Sequence, residues 1–216
     1  MSLTDDQATD KHHEEPKVDR RRRPERRVEI LKAVMTLLEK GNRRVTTAEL
    51  AAEVGLSEAA LYRHFTGKDA IFQALTDFLR DHLLRPLDPA LENALPMQRL
   101  RRQFESHLTF FAEHPGLCRI FLVEGVMTRA ESMAMNRIVG EYGKQVQGIM
   151  ARAQEMGALP SGLDLESAAD FYVGLIQAAT LRFVISGFTE SPTADMGMAW
   201  NYFCRGVGVV EQRSAA

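Results

Sequence analysis

Tyr62, Arg63 and His64 follow one another near the end of a short helical pattern, four residues before Lys68. A phenol, a guanidinium, an imidazole and an ammonium so close together form a donor set suited to holding anions. Tyr62 and His64 can donate to phosphate oxygens, contacts that fix register on a nucleic acid and carry no sequence information. Arg63 can reach a phosphate or a guanine edge, where a bidentate contact is worth roughly 1–3 kcal/mol of discrimination. Upstream, Arg20, Arg21, Arg22 and Arg23, with Arg26 and Arg27, read as a flexible arm that lies along phosphates or enters a narrow minor groove. The plainer reading of the same residues is structural, with Tyr62 and His64 bracing a helical unit and the arginines forming a solvated charge run.

Such a set has to be positioned by a sharp bend. The stretch "TTAELAAEVGLSEAALYRHF", residues 46–65, holds two helical patterns with one glycine between them. Thr46 followed by Glu49 matches a capping box, and Leu50, Ala51 and Val54 give the first helix one buried face. Gly55 permits the left-handed backbone of a tight turn. Ser57 can cap the next helix, on which Ala60, Leu61 and Phe65 point one way and Glu58, Ala59, Tyr62 and Arg63 the other. This is a helix-turn-helix pattern, whose second helix fits a DNA major groove. Ala59 is small enough to let that helix approach the bases. Glu58 would repel phosphates, so on DNA it should meet a cytosine N4 or act through water. Lys68 opens a further helix, whose N-terminus also favours a phosphate.

The charge distribution agrees. Residues 17–68 carry thirteen Lys/Arg against seven Asp/Glu, whereas the rest of the chain has a net charge of −8. A basic head on an acidic body is thus concealed in an overall charge of −2. Residues 1–19 have almost no apolar content and should be disordered. The head with its basic arm is expected over 20–69, and an all-α C-terminal body over 70–216. Helical spacing predicts elements at about 25–40, 97–113, 117–126, 130–156, 164–187 and 194–210, with "HPGL" at 114–117 as a break. Apolar runs are broken by charges, which argues against a membrane span. The N-terminus lacks the apolar region of a secretory signal. Cys118 and Cys204 lack metal or redox spacing, so a reduced, cytoplasmic setting is expected.

Residues 25–72 resemble the DNA-binding domain of the TetR family of transcriptional regulators, most specifically in "TTAELAAEVGLS" and "LYRHFTGKDAIF". The resemblance implies an all-α, usually dimeric repressor. It implies phosphate contacts from Thr46, Thr47, Tyr62, His64 and Lys68, with Ala59 and Arg63 at the bases or their rim. It also implies that a small-molecule inducer can release the protein from DNA. "EHPGLCRIF" at 113–121 and "LRFVISGFTESPTADMGMAW" at 181–200 are similar to the nucleoid-occlusion branch, which binds DNA and restrains the division protein FtsZ.

In the body, Gly174, Ala178, Met196, Trp200, Phe203 and Val207 are expected at a homodimer seam. Phe104, His107, Phe111, Met127, Tyr142 and Phe171 are candidates for a ligand pocket between helices, although methionines and aromatics at helical spacing also fill ordinary cores. The sequence holds no GxSxG elbow, Walker loop, HExxH or dinucleotide fingerprint. His12 and His13 are adjacent but lack helical metal-ligand spacing. No enzymatic activity, metal or cofactor is expected.

Overall fold

The computed structural model describes residues 22–41, 45–85, 94–122 and 129–209. Among these the chain forms nine α-helices and no strand. The head comprises α1 (Arg22–Glu39), α2 (Thr47–Glu53) and α3 (Glu58–Tyr62). Its small core joins Ile30, Val34 and Leu38 to Leu50, Leu61, Phe65 and Phe72, all buried. Then come α4 (Lys68–Leu83), α5 (Pro96–Glu113), α6 (Pro115–Leu122), α7 (Arg129–Glu155), α8 (Leu165–Ile185) and α9 (Met196–Gly206). Asp164 caps α8, its carboxylate accepting from the amides of Glu166 and Ser167. The disordered tail expected over 1–19 lies outside the described residues.

Two devices join head to body. Helix α4 runs unbroken through the expected boundary at 69/70, burying Ile71, Phe72 and Leu75 near its start and Leu79 and Leu83 near its end. Helix α6 packs against α1 at Gly116, where an added Cβ would lie 2.2 Å from the Met35 carbonyl oxygen. Only glycine admits that approach. The Gly116 amide also donates to Glu39 Oε1 at 3.3 Å.

The body core is aromatic. Phe104 and Phe111 of α5, Tyr142 of α7, Tyr172 of α8 and Phe203 of α9 are all buried. Tyr172 donates to the Leu100 carbonyl at 2.8 Å, and the Tyr142 hydroxyl lies 2.8 Å from His107 Nδ1. Helix α8 is long and apolar enough, by length and composition, to cross a bilayer. Its Ala169, Tyr172, Ile176, Thr180 and Phe183 pack inside the protein instead, which makes it the central helix of the body.

Candidate nucleic-acid interface

The bend is built as its residue types dictate. Thr46 Oγ1 accepts from the Glu49 amide at 3.2 Å, and Glu49 Oε2 accepts from the Thr46 amide at 2.9 Å. This reciprocal capping box starts α2. The bonds from the Thr46 backbone and side chain also hold the Glu49 carboxyl below its ordinary pKa. At the other end Gly55 adopts φ +65°, and the Leu56 amide donates to the Ala51 carbonyl at 2.8 Å. That closes the helix with a left-handed turn. Two residues later Ser57 Oγ accepts from the Ala60 amide at 3.2 Å and starts α3.

Helix α3 turns Leu61 inward, with Phe65 buried just beyond it, and leaves Glu58, Ala59, Tyr62 and Arg63 outward. Tyr62 is 49% exposed. His64 is half-buried below the exposed edge. Thr46, Ser57 and Lys68 are exposed and Thr47 half-buried on the same head. Gly67, at the N-cap of α4, offers no side chain to occupy the first-turn amides. Those amides keep their partial positive charge at the start of α4, beside exposed Lys68. The Lys68 Nζ sits 5.2 Å from the centroid of the Phe72 ring.

Two contacts depart from the sequence reading. Glu58 is tied back to the head, since the Thr47 hydroxyl donates to its Oε2 at 2.7 Å. Two residues expected to reach DNA independently are thus linked to each other. Arg27 does not belong to a flexible arm. It lies in α1, donates to the His64 carbonyl at 2.5 Å and places its guanidinium 4.1 Å from the centroid of the Phe65 ring. Arg26, also helical, pairs with Glu29 one turn on. The helix begins at Arg22 because Pro24 is compatible with a first turn. Arg20 and Arg21 lie outside the described residues, as do the side chains of Arg22 and Arg23.

In the body, the residues expected at a seam and a pocket are distributed between the interior and the surface. Trp200 is only 6% exposed, and Phe203 and Val207 are also buried. They pack into this chain's own core, with the Trp200 ring 6.1 Å from Phe104 and the Phe203 ring 5.5 Å from Tyr172. Gly174 and Met196 are half-buried, whereas Ala178 is exposed. The large apolar side chains left outside on α8 and α9 are Phe171, Leu181, Ile185, Met198 and Tyr202. Of the candidate pocket residues, Phe104, His107, Phe111 and Tyr142 do share the interior, where they pack closely on neighbouring rings. Phe171 is not among them. It is 43% exposed and lies about 100° round the helix from inward-facing Tyr172, with its ring against Phe203 at 5.7 Å. Met127 lies outside the described residues.

Residues 30–75 match the family model for bacterial regulatory proteins of the tetR family. The nucleoid occlusion factor SlmA of Marinobacter nauticus is 34% identical over 185 residues, which cover 82% of this chain and 93% of that protein. The SlmA of Photobacterium profundum is 31% identical, over 85% of this chain and 96% of its own length. Among solved structures, the transcriptional regulator FadR from Bacillus subtilis, in complex with stearoyl-CoA, superposes with a TM-score of 0.71 at 17% identity. That match covers 83% of this chain and 98% of the other.

Proposed function

The chain belongs to the TetR family of bacterial regulatory proteins, and we propose that it represses transcription by binding a palindromic operator as a homodimer. The observation that carries this reading is the outward face of α3, where Ala59 leaves room for the groove and Tyr62 and Arg63 rim it. Tyr62, His64, Thr46, Thr47 and Lys68 would hold phosphates, and Arg63 would reach a base edge or its rim. One such helix buries too little for tight specific binding. Two heads spaced about 34–36 Å apart would read successive turns of the duplex. The dimer seam would form from Phe171, Ala178, Leu181 and Ile185 of α8 with Met198 and Tyr202 of α9. The protein would work in the cytoplasm, on the nucleoid.

A second reading is favoured by the near full-length similarity to proteins named nucleoid occlusion factors. In that case the same head binds dispersed chromosomal sites, and the body restrains FtsZ. A genome-wide map of bound sites separates the two. One or two sites beside operons support the local repressor, and many dispersed sites support occlusion. Binding of purified FtsZ, with altered polymerisation, supports only the second. The shared DNA-docking model is tested by Tyr62→Ala combined with Lys68→Ala, which should weaken binding to every sequence about equally. Unchanged affinity for a selected operator rejects it.

A further inference from the structure

Away from the head, the C-terminal end of α4 meets α5 and α7 around a cleft of about 320 Å³. Arg85, Arg99 and Arg152 line it, together with Gln103, Gln145 and Ile149, and none of the described lining residues is acidic. Guanidinium groups gathered around one concavity repel one another, and none of the described lining residues carries a negative charge to relieve them. Two polar atoms of the lining residues are buried and have no hydrogen-bond partner among the described residues. They are Arg99 Nε and Gln103 Oε1. Gln103 is only 4% exposed, so water does not readily satisfy its amide. Gln145 is committed differently, its amide donating to the Leu84 carbonyl at 3.4 Å and tying α7 to the end of α4. At Gly148, on the α7 wall, an added Cβ would meet nothing within 4 Å.

We propose that this cleft binds a small phosphate monoester bearing a hydroxyl group. The planar guanidinium fork matches phosphate oxygens bidentately. A monoester carries about 1.5 to 2 negative charges near neutral pH, which suits three arginines better than a single carboxylate does. The unmet Gln103 Oε1 takes a hydroxyl proton, and the unmet Arg99 Nε–H goes to a phosphate oxygen. The cleft volume is at the small end of ligand sites, which fits a ligand of a few carbon atoms.

The test is calorimetric titration of the full-length protein with glycerol 3-phosphate in phosphate-free buffer at fixed ionic strength. Saturable binding of one ligand per chain is expected. Arg152→Gln should weaken it by roughly tenfold or more, because an exposed helical arginine can be neutralised without disturbing the core. Gly148→Leu should weaken it similarly by filling the cleft while leaving every charge in place. Circular dichroism checks that both variants fold. Arg63→Ala with Lys68→Ala, in the head, should leave the titration unchanged. Binding that is lost in the head variant and kept in Arg152→Gln and Gly148→Leu assigns the phosphate to the DNA-binding surface and overturns the proposal. So does the lack of saturable binding at millimolar ligand, or equal affinity for malate or for inorganic phosphate. The DNA assays above change only residues of the head, whereas Arg152→Gln and Gly148→Leu change only the body, so failure of one reading leaves the other standing.

Discussion

The hydroxyl of Thr47, at the start of α2, donates to Glu58 Oε2, at the start of α3, across 2.7 Å. This bond spans the turn of the helix-turn-helix and fixes an acidic side chain at the edge of the surface meant for a polyanion. Its carboxylate should lower the affinity for any duplex while it braces the two helices. Glu58→Gln keeps an acceptor for Thr47 and removes the charge. Affinity for non-specific DNA should rise by roughly two- to fivefold, in line with about 0.5–1 kcal/mol for a surface charge near a phosphate. Fluorescence anisotropy with a random-sequence duplex measures this directly. Weaker binding of a selected operator would instead assign Glu58 to a base contact.

Arg27 braces the far end of the same helix through the His64 carbonyl and the Phe65 ring. A charge-assisted hydrogen bond and a cation–π contact together make Arg27→Ala cost about 1–3 kcal/mol of stability. Arg27→Lys should recover little, because an ammonium cannot lie flat on the ring while donating sideways. If the role is structural, the salt dependence of DNA binding keeps its slope in both variants. A slope reduced by about one unit would make Arg27 a phosphate contact. Urea unfolding and a salt titration decide the matter.

Gly116 sets the angle between head and body by pressing on Met35. In Gly116→Ala the new methyl group meets backbone, which cannot rotate away as a side chain could. The penalty of such overpacking is about 1–3 kcal/mol. Helix α6 must slide along α1, and the head must tilt relative to α4. Operator affinity should therefore fall although no DNA-facing residue has changed. A thermal unfolding midpoint identical to that of the parent protein would show that the contact yields freely.

Much of the head is legible in the sequence because its signals are local. Thr46 with Glu49, Gly55 and Ser57 each act within a few residues, and their order alone imposes the bend. The outward set on α3 follows from a period of 3.6 residues. The bracing role of Arg27 was hidden because its partner is 37 residues away, and its arginine-rich surroundings suggest a solvated arm. In the body, Met196, Trp200, Phe203 and Val207 form an apolar stripe that looks the same whether it covers the chain's own core or a second chain. What settles its direction is the position of α8, against which Phe203 packs. Gly116 shows only as a break beside Pro115, since periodicity carries no information about how near another helix comes.

His107 is buried beside Tyr142 and His82 in the body. Burial pushes its pKa down to about 3, and the neighbouring His82 adds to the effect. His82 is lowered to about 4, first by burial and then by His114 and Arg85. Both imidazoles are neutral in the folded protein and take up protons in the unfolded chain below about pH 6.5. The unfolded state then binds more protons, so stability falls as pH drops from about 6.5 towards 4. His107→Gln should make that decline shallower by one proton, or about 1.4 kcal/mol per pH unit. Tyr142→Phe should cost about 1–3 kcal/mol at neutral pH by orphaning the imidazole nitrogen. Parallel stability–pH curves for the parent and His107→Gln would mean that His107 already titrates when folded.

Ile185 is 75% exposed at the end of α8, in line with Leu181 and Ala178 on the same face. Leu181 and Ile185 are large apolar side chains exposed on this face, and they belong to the seam proposed above. A carboxylate there would be desolvated in a two-fold dimer, and the symmetry would repeat that cost in each protomer. Ile185→Asp should therefore yield monomers in sedimentation with the helical circular dichroism intact, because the side chain contributes little to the fold of one chain. Trp200→Ala should act the other way, losing about 3–5 kcal/mol of stability through a core cavity with the seam itself untouched. Intact dimers in Ile185→Asp, or monomers with full stability in Trp200→Ala, would return the seam to the buried stripe of α9.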